Sequence, residues 1–214
     1  MDLSFYVITA ETVEGDRSHL DVAKAAIEGG ATAIQFREKN KSSRELMKIA
    51  EVLHRVTKKF KISLIINDRI DIAQAVEAEG VHLGQEDIPV KRARQILGQD
   101  AIIGISCGNI KEAIKAECDG ASYIGAGPVF LTSTKEDARE AIGIEEFIKI
   151  KKSVNIPVVA IGGITSENVG AIIKAGANGV AVISEVAFAP NIKDACRNFL
   201  KKIKEAKEVN CEFK

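Results

Sequence analysis

Short apolar runs, many of them β-branched, alternate with amphipathic stretches from one end of the chain to the other. The runs cover residues 5–9, 33–37, 63–67, 80–83, 102–106, 123–127, 158–162 and 179–184. Most are nearly continuous in apolar character, which suits strands buried on both faces of a parallel sheet. Between them, apolar positions recur at helical spacing over 19–28, 43–59, 69–78, 90–97, 110–118, 144–153, 166–175 and 192–207. Ser42, Thr165 and Pro190 stand at expected helix starts. Gly30, Gly80, Gly120 and Gly176 stand where helices are expected to end.

A weak internal repeat orders these units. Gly30-Ala31-Thr32-Ala33-Ile34, Gly120-Ala121-Ser122-Tyr123-Ile124 and Gly176-Ala177-Asn178-Gly179-Val180 share glycine, alanine, a polar or small residue, then strand. Glu79-Gly80-Val81 is a shorter version. These fall before the second, fourth, sixth and eighth strands. Such a pairwise repeat predicts a closed α/β ring, a single (β/α)₈ TIM barrel over residues 1–214, with its active site at the C-terminal ends of the strands. An open doubly wound sheet is the rival. Eight regular units without a linker or low-complexity segment argue against it.

Charge and cysteine usage narrow the function classes. Lys+Arg and Asp+Glu both number 30, giving a net charge of zero. No global field draws the protein to nucleic acid or to anionic membranes, so any anion site is local. Cys107, Cys118, Cys196 and Cys211 make no CxxC pair and no zinc spacing with His19, His54 or His82. Reduced thiols, no signal-peptide pattern and no apolar stretch of membrane-spanning length predict a soluble, cytoplasmic protein.

Polar residues recur at the strand ends, which helix solubility does not require. Gln35, Arg37 and Lys39 alternate, so strand geometry points them one way; two cations and an amide at a barrel mouth suit a polyanion. The alternative is ion-pairing with Glu38 or another loop acid, but two cations converging beside apolar Ala33-Ile34 call for a stronger counterion. Asp68 and Asp87 follow consecutive strands and could share a hard cation such as Mg²⁺, although either alone could cap a helix. Gly162-Gly163 ahead of a helix near Thr165 offers free backbone N–H groups to a phosphate, with Ser184 closing the eighth strand nearby. Residues 127–135 read as a loop over the mouth. His82, inside a strand, reads as a satisfied structural histidine. His19 and His54 read as helix-surface residues.

Together these segments resemble the thiamine phosphate synthase family. The matching pieces are Gln35-x-Arg37-x-Lys39, Asn67-Asp68, the run from Val81 to Asp87, Gly104-Ile105-Ser106, Thr132-Ser133-Thr134-Lys135, Gly162-Gly163-Ile164 and Val182-Ile183-Ser184. Single pieces are weak, but their order is specific and spans nearly the whole chain. Leu131 stands where that family often has proline, and Phe36 replaces a commoner leucine.

The resemblance implies a transferase that joins a pyrimidine methyl diphosphate to a thiazole phosphate, forming thiamine phosphate and releasing diphosphate. It implies that Gln35 contacts the pyrimidine, with Ser106 close by. Arg37, Lys39, Asn67 and Lys135 would hold the diphosphate, and Phe36 and Glu38 would belong to the same pyrimidine diphosphate-binding set. Asp68 and Asp87 would bind Mg²⁺. Thr132, Ser133, Thr134, the Gly163 amide, Ile183 and Ser184 would hold the thiazole phosphate. Arg37, Ser106 and Lys135 would be the catalytic set. The implied partners are two phosphorylated small molecules, with neither nucleic acid nor membrane, and with homo-oligomerisation left open. A thiazole tautomerase-like isomerase and a non-catalytic ligand sensor are the alternatives.

Overall fold

A computed structural model describes residues 1–11, 17–132 and 140–212, the last four by backbone alone. Eight parallel strands close into a barrel in chain order. They are β1 (Phe5–Thr9), β2 (Ala33–Phe36), β3 (Ser63–Asn67), β4 (Gly80–Leu83), β5 (Ile102–Cys107), β6 (Tyr123–Ala126), β7 (Val158–Ile161) and β8 (Gly179–Val182). The helices between and after them are α1 (His19–Glu28), α2 (Ser43–Lys59), α3 (Ile70–Ala75), α4 (Val90–Leu97), α5 (Ile110–Cys118), α6 (Gly143–Ser153), α7 (Val169–Lys174), α8 (Ser184–Ala187) and α9 (Ile192–Glu212).

The apolar runs are continuous because each strand buries both faces. Side chains such as Val7, Ile34, Ile66, Val81 and Ile124 point outward and pack under the helices. Their neighbours Tyr6, Ile8, Ala33, Ile65, Tyr123, Val159 and Ala181 point inward and fill the barrel. On the outside, α2 shows how the pattern seats a helix. Leu46, Ala50, Leu53 and Thr57 form its buried stripe. Ser42 Oγ accepts from the Glu45 amide, and the Glu45 carboxylate accepts from the Ser42 amide, satisfying two N-terminal donors reciprocally.

The internal repeat has a physical basis. Gly30, Gly120 and Gly176 take φ of +98°, +89° and +96°, a left-handed turn that ends each helix. The polar residue two positions on then ties the coming strand to its predecessor. Thr32 N donates to Phe5 O, while Phe5 N donates to Thr32 Oγ1. Ser122 makes the same exchange with Ile103, and Asn178 makes it with Val158. In the shorter copy, Glu79 Oε2 accepts from Leu64 N. Each unit therefore fixes the register of the next pair at the bottom of the barrel, away from the mouth. Gly80 departs from the expected role: it opens β4, where a side chain would overlap the Ile102 carbonyl.

Candidate functional site

The C-terminal ends of the strands surround one cavity of about 620 Å³. Arg37 and Lys39 line it just beyond β2, as do Asn67 and Asp68 at the end of β3. Asp87 lines it from the β4–α4 turn, and Ser106 from β5. Across the mouth lie Thr132, Gly163, Ile183 and Ser184. The strand ends thus bring Arg37, Asp68, Asp87 and Gly163 to a single rim. Ser133, Thr134 and Lys135 lie outside the described residues.

Asp68 is held by its backbone and Asp87 by its carboxylate. Asp68 sits at φ +59°, a conformation Asp tolerates better than most residues, and its amide donates to the His82 carbonyl at 2.9 Å. It does not cap α3, whose N-cap is Arg69. Asp87 Oδ2 accepts from the Gly84 amide at 2.6 Å, which closes its turn. Burial raises the Asp68 pKa, and the neighbouring Asp87 charge raises it further, to about 6. Lys39 and Arg37 act in the opposite direction without reversing the shift. A carboxylate pair beside two cations is a site for a cation and an anion together.

The opposite wall is made of tightly packed backbone. Gly162 and Gly163 take φ of +93° and +62°. A β-carbon on Gly163 would lie 2.6 Å from the Leu131 carbonyl and 2.7 Å from Phe130 Cβ. Only glycine fits there, so the chain passes close to the cavity as bare backbone. Asn168 Nδ2 donates to the Gly163 carbonyl, and Thr165 N donates to Asn168 Oδ1. These bonds hold residues 165–168 as a turn, so α7 starts at Val169 and not at the expected residue 166. On this wall β8 also ends at Val182, and Ile183–Ser184 lead into α8, a short helix absent from the sequence-based scheme. Short helices after the last strands are a recurrent feature of phosphate sites in barrels.

Three expectations are corrected. Phe36 lies on the outer face of β2, with its ring against His19 at a centroid distance of 4.8 Å. The Glu38 carboxylate points away from the cavity, accepting from the Asn40 amide at 2.7 Å and meeting His19 Nε2 at 3.3 Å. Strand alternation is the reason for both: when 35 and 37 face inward, 36 and 38 face outward. His19 is buried at 1% exposure, not on a helix surface. Its Nδ1 meets Thr9 Oγ1 at 2.8 Å, and burial holds its pKa down. Glu11 joins His19 and Glu38 in a small cluster, but Lys41 Nζ already binds Glu11 at 2.8 Å, leaving the group internally partnered.

His82 and Ser106 line the cavity floor, and behind them Gln35, Tyr6 and Tyr123, which do not line it, continue a hydrogen-bonded chain into the barrel, an arrangement the sequence analysis missed. Gln35 is only 2% exposed, and its Nε2 donates to Tyr6 Oη at 2.8 Å. Tyr6 Oη is 3.1 Å from Tyr123 Oη, which is 2.9 Å from His82 Nδ1. His82 Nε2 is 3.0 Å from Ser106 Oγ. His82 is therefore a partnered histidine, as expected, but within a chain that reaches the cavity.

Comparison with known proteins agrees with this geometry. Over residues 5–186 the chain matches the family described as thiamine monophosphate synthase. It is 47% identical over 199 residues to the thiamine-phosphate synthase of Clostridium novyi, covering 92% of this chain and 98% of that protein. It is 45% identical over 197 residues to the thiamine-phosphate synthase of Chloroflexus aurantiacus, covering 92% and 91%. Among solved structures, the thiamine phosphate pyrophosphorylase from Pyrococcus furiosus superposes with a TM-score of 0.88 at 43% identity, covering 95% of this chain and 96% of that one.

Proposed function

Because the chain belongs to the thiamine monophosphate synthase family, we infer that it condenses a pyrimidine methyl diphosphate with a thiazole phosphate, giving thiamine phosphate and diphosphate. The observation that carries this reading is one cavity lined on one side by Arg37, Lys39, Asp68 and Asp87 and on the other by Thr132, Gly163 and Ser184. A cationic wall with a carboxylate pair suits a diphosphate and its metal. A wall of bare backbone and hydroxyls suits a monophosphate. Neither the isomerase nor the sensor reading draws support from the relatives.

Arg37, Lys39 and Asn67 hold the diphosphate, with Lys135 completing the set on the family resemblance. The bond from the pyrimidine methylene carbon to the diphosphate oxygen breaks, and its electron pair leaves with the diphosphate. The cations gather the growing negative charge where it appears. The thiazole nitrogen then donates its lone pair to the methylene carbon and forms the new C–N bond. Thr132, Gly163, Ile183 and Ser184 hold the thiazole phosphate so that this nitrogen reaches the cation before water does; Ser133 and Thr134 join them on the same resemblance. No protein base is required. That suits a cavity in which His82 already has both ring nitrogens engaged.

The aspartate pair fits Mg²⁺. Burial and the neighbouring Asp87 charge make ionised Asp68 unfavourable, a penalty that a shared cation would relieve, and oxygen-only donors suit a hard ion that also takes phosphate oxygens. Bound there, Mg²⁺ would neutralise charge on the departing diphosphate. We also place the protein in the cytoplasm. Cys107, Cys118 and Cys196 are free thiols, and no helix among the described residues is long and apolar enough to cross a membrane.

The test is product identity. Purified protein given both substrates should form thiamine phosphate, identified by mass, with one diphosphate released per molecule. Diphosphate release with plain pyrimidine alcohol as the only organic product would refute the transferase reading.

A further inference from the structure

The hydrogen-bond chain under the cavity floor has a direction. An amide nitrogen only donates, so Tyr6 Oη receives a bond from Gln35 Nε2. Burial raises the pKa of both phenols, so each tyrosine keeps one proton to give. The arrangement that leaves neither phenol proton without an acceptor has Tyr6 donating to Tyr123, 3.1 Å away, and Tyr123 donating to His82 Nδ1, 2.9 Å away. A neutral imidazole that accepts at Nδ1 carries its proton on Nε2, which donates to Ser106 Oγ. The Ser106 hydroxyl proton is then left for the cavity that Ser106 lines. At the other end, Gln35 Oε1 has no hydrogen-bond partner among the described residues, although Gln35 is almost wholly buried. Gln35 does not itself line the cavity, so its unpartnered carbonyl oxygen accepts only from a ligand N–H that reaches the floor beside Ser106.

The barrel is cut away to admit this chain. A β-carbon on Gly104 would fall within the Tyr123 ring, and one on Gly125 would lie 3.0 Å from His82 Cε1. Neither glycine has a left-handed φ, so both are explained by space and not by backbone conformation. Glycines inside strands weaken a sheet and mark close approach of another group.

We infer that Tyr6, Tyr123 and His82 are positioning residues that set the ring specificity of the site, by fixing an acceptor at Gln35 Oε1 and a donor at Ser106 Oγ. The selected ring is a heteroaromatic that offers an amino donor to one and a ring-nitrogen acceptor to the other. A ring with a carbonyl and a ring N–H on that edge presents the reverse pattern. The inference rests on the proposed function, whose pyrimidine is the 4-amino-2-methyl ring of the family's substrate, and on the resemblance by which Gln35 contacts that ring with Ser106 close by. What it adds is the polarity and the three buried residues that impose it.

The experiment measures binding of two unreactive diphosphate analogues, each with a carbon in place of the bridging ester oxygen. One carries the 4-aminopyrimidine ring and the other the 4-oxo ring. Each mismatched buried hydrogen bond lowers affinity on the order of tenfold, so the native protein should prefer the amino ring by roughly 10²-fold. In Tyr6→Phe the Gln35 amide loses its anchor and can turn. In Tyr123→Phe, His82 can move its proton to Nδ1 and accept from Ser106, which turns the hydroxyl proton inward. Either variant should reduce the preference to about tenfold or less while keeping the ring that fills the space. Equal loss of affinity for both analogues, with the preference intact, would mean that the tyrosines only pack the floor. Should neither variant fold, the native protein decides: similar affinity for the two rings would overturn the inference. Turnover of the natural aminopyrimidine diphosphate is measured first, so failure of the proposed reaction and failure of the relay are separate results.

Discussion

Replacing Asp68 by asparagine should raise stability and abolish activity together. In the metal-free protein at pH 7.5, Asp68 is ionised despite a carboxyl group pushed up to about 6 by burial and by Asp87. The folded state binds this proton more tightly than the unfolded chain does. Its contribution to stability is therefore present at low pH and is lost as pH rises through about 6. A full shift from 3.8 would correspond to roughly 3 kcal/mol, and partial exposure reduces this to about 1–2 kcal/mol. The Asp68→Asn substitution removes the repulsion and keeps the shape. The new amide tolerates the +59° backbone angle and can donate to Asp87. The expected rise in melting temperature with EDTA present is roughly 2–6 °C for a chain of this size. Diphosphate release with Mg²⁺ should fall on the order of 10²–10³-fold, because one ligand of the leaving group's counterion is gone. The assay pairs a thermal melt in EDTA with a turnover measurement. A variant that melts lower than the native protein, or one that turns over normally, would refute the reasoning.

Three further outcomes follow from the same geometry. Mg²⁺ affinity, measured by calorimetry, should fall about tenfold per pH unit below about 6, because one proton competes with the metal at Asp68; a flat profile from pH 5 to 7 would contradict the shared-cation site. Gly104→Ala should destabilise the protein by about 1–3 kcal/mol in denaturant melts, since the added methyl overlaps Tyr123; an unchanged midpoint would show that the floor is looser than described. Ser184→Ala should raise the KM for the thiazole phosphate several-fold and leave that for the pyrimidine diphosphate unchanged; equal changes in both would place Ser184 on the wrong wall.

Much of the barrel was legible because each strand is buried on both faces, so the apolar runs mark strands with little ambiguity. The Gly-Ala-polar repeat was visible too, although its cause, a reciprocal bond such as Thr32 with Phe5, needs the neighbouring strand in place. Helix starts failed where side chains build a turn instead. Thr165 and Asn168 delay α7, and the apolar run through Ile183 hid the point where β8 gives way to α8. Arg37, Lys39, Asn67, Asp68, Asp87 and Ser106 could be placed at the mouth because strand ends determine where they lie. Strand alternation, applied strictly, already places Phe36 and Glu38 outside the mouth. The Tyr6–Tyr123–His82 chain was hidden because its members come from β1, β6 and β4 and meet only across the closed barrel. The one local signal was a glycine in each of two apolar strands, at Gly104 and Gly125.

The most direct test of the coupling chemistry mixes both phosphorylated substrates with the native protein and follows diphosphate with and without Mg²⁺. The account predicts thiamine phosphate and diphosphate in equal amounts with the metal, and release slowed by at least about 10²-fold in EDTA. Equal rates in the two conditions would contradict a leaving group held between the cationic wall and a metal on Asp68 and Asp87.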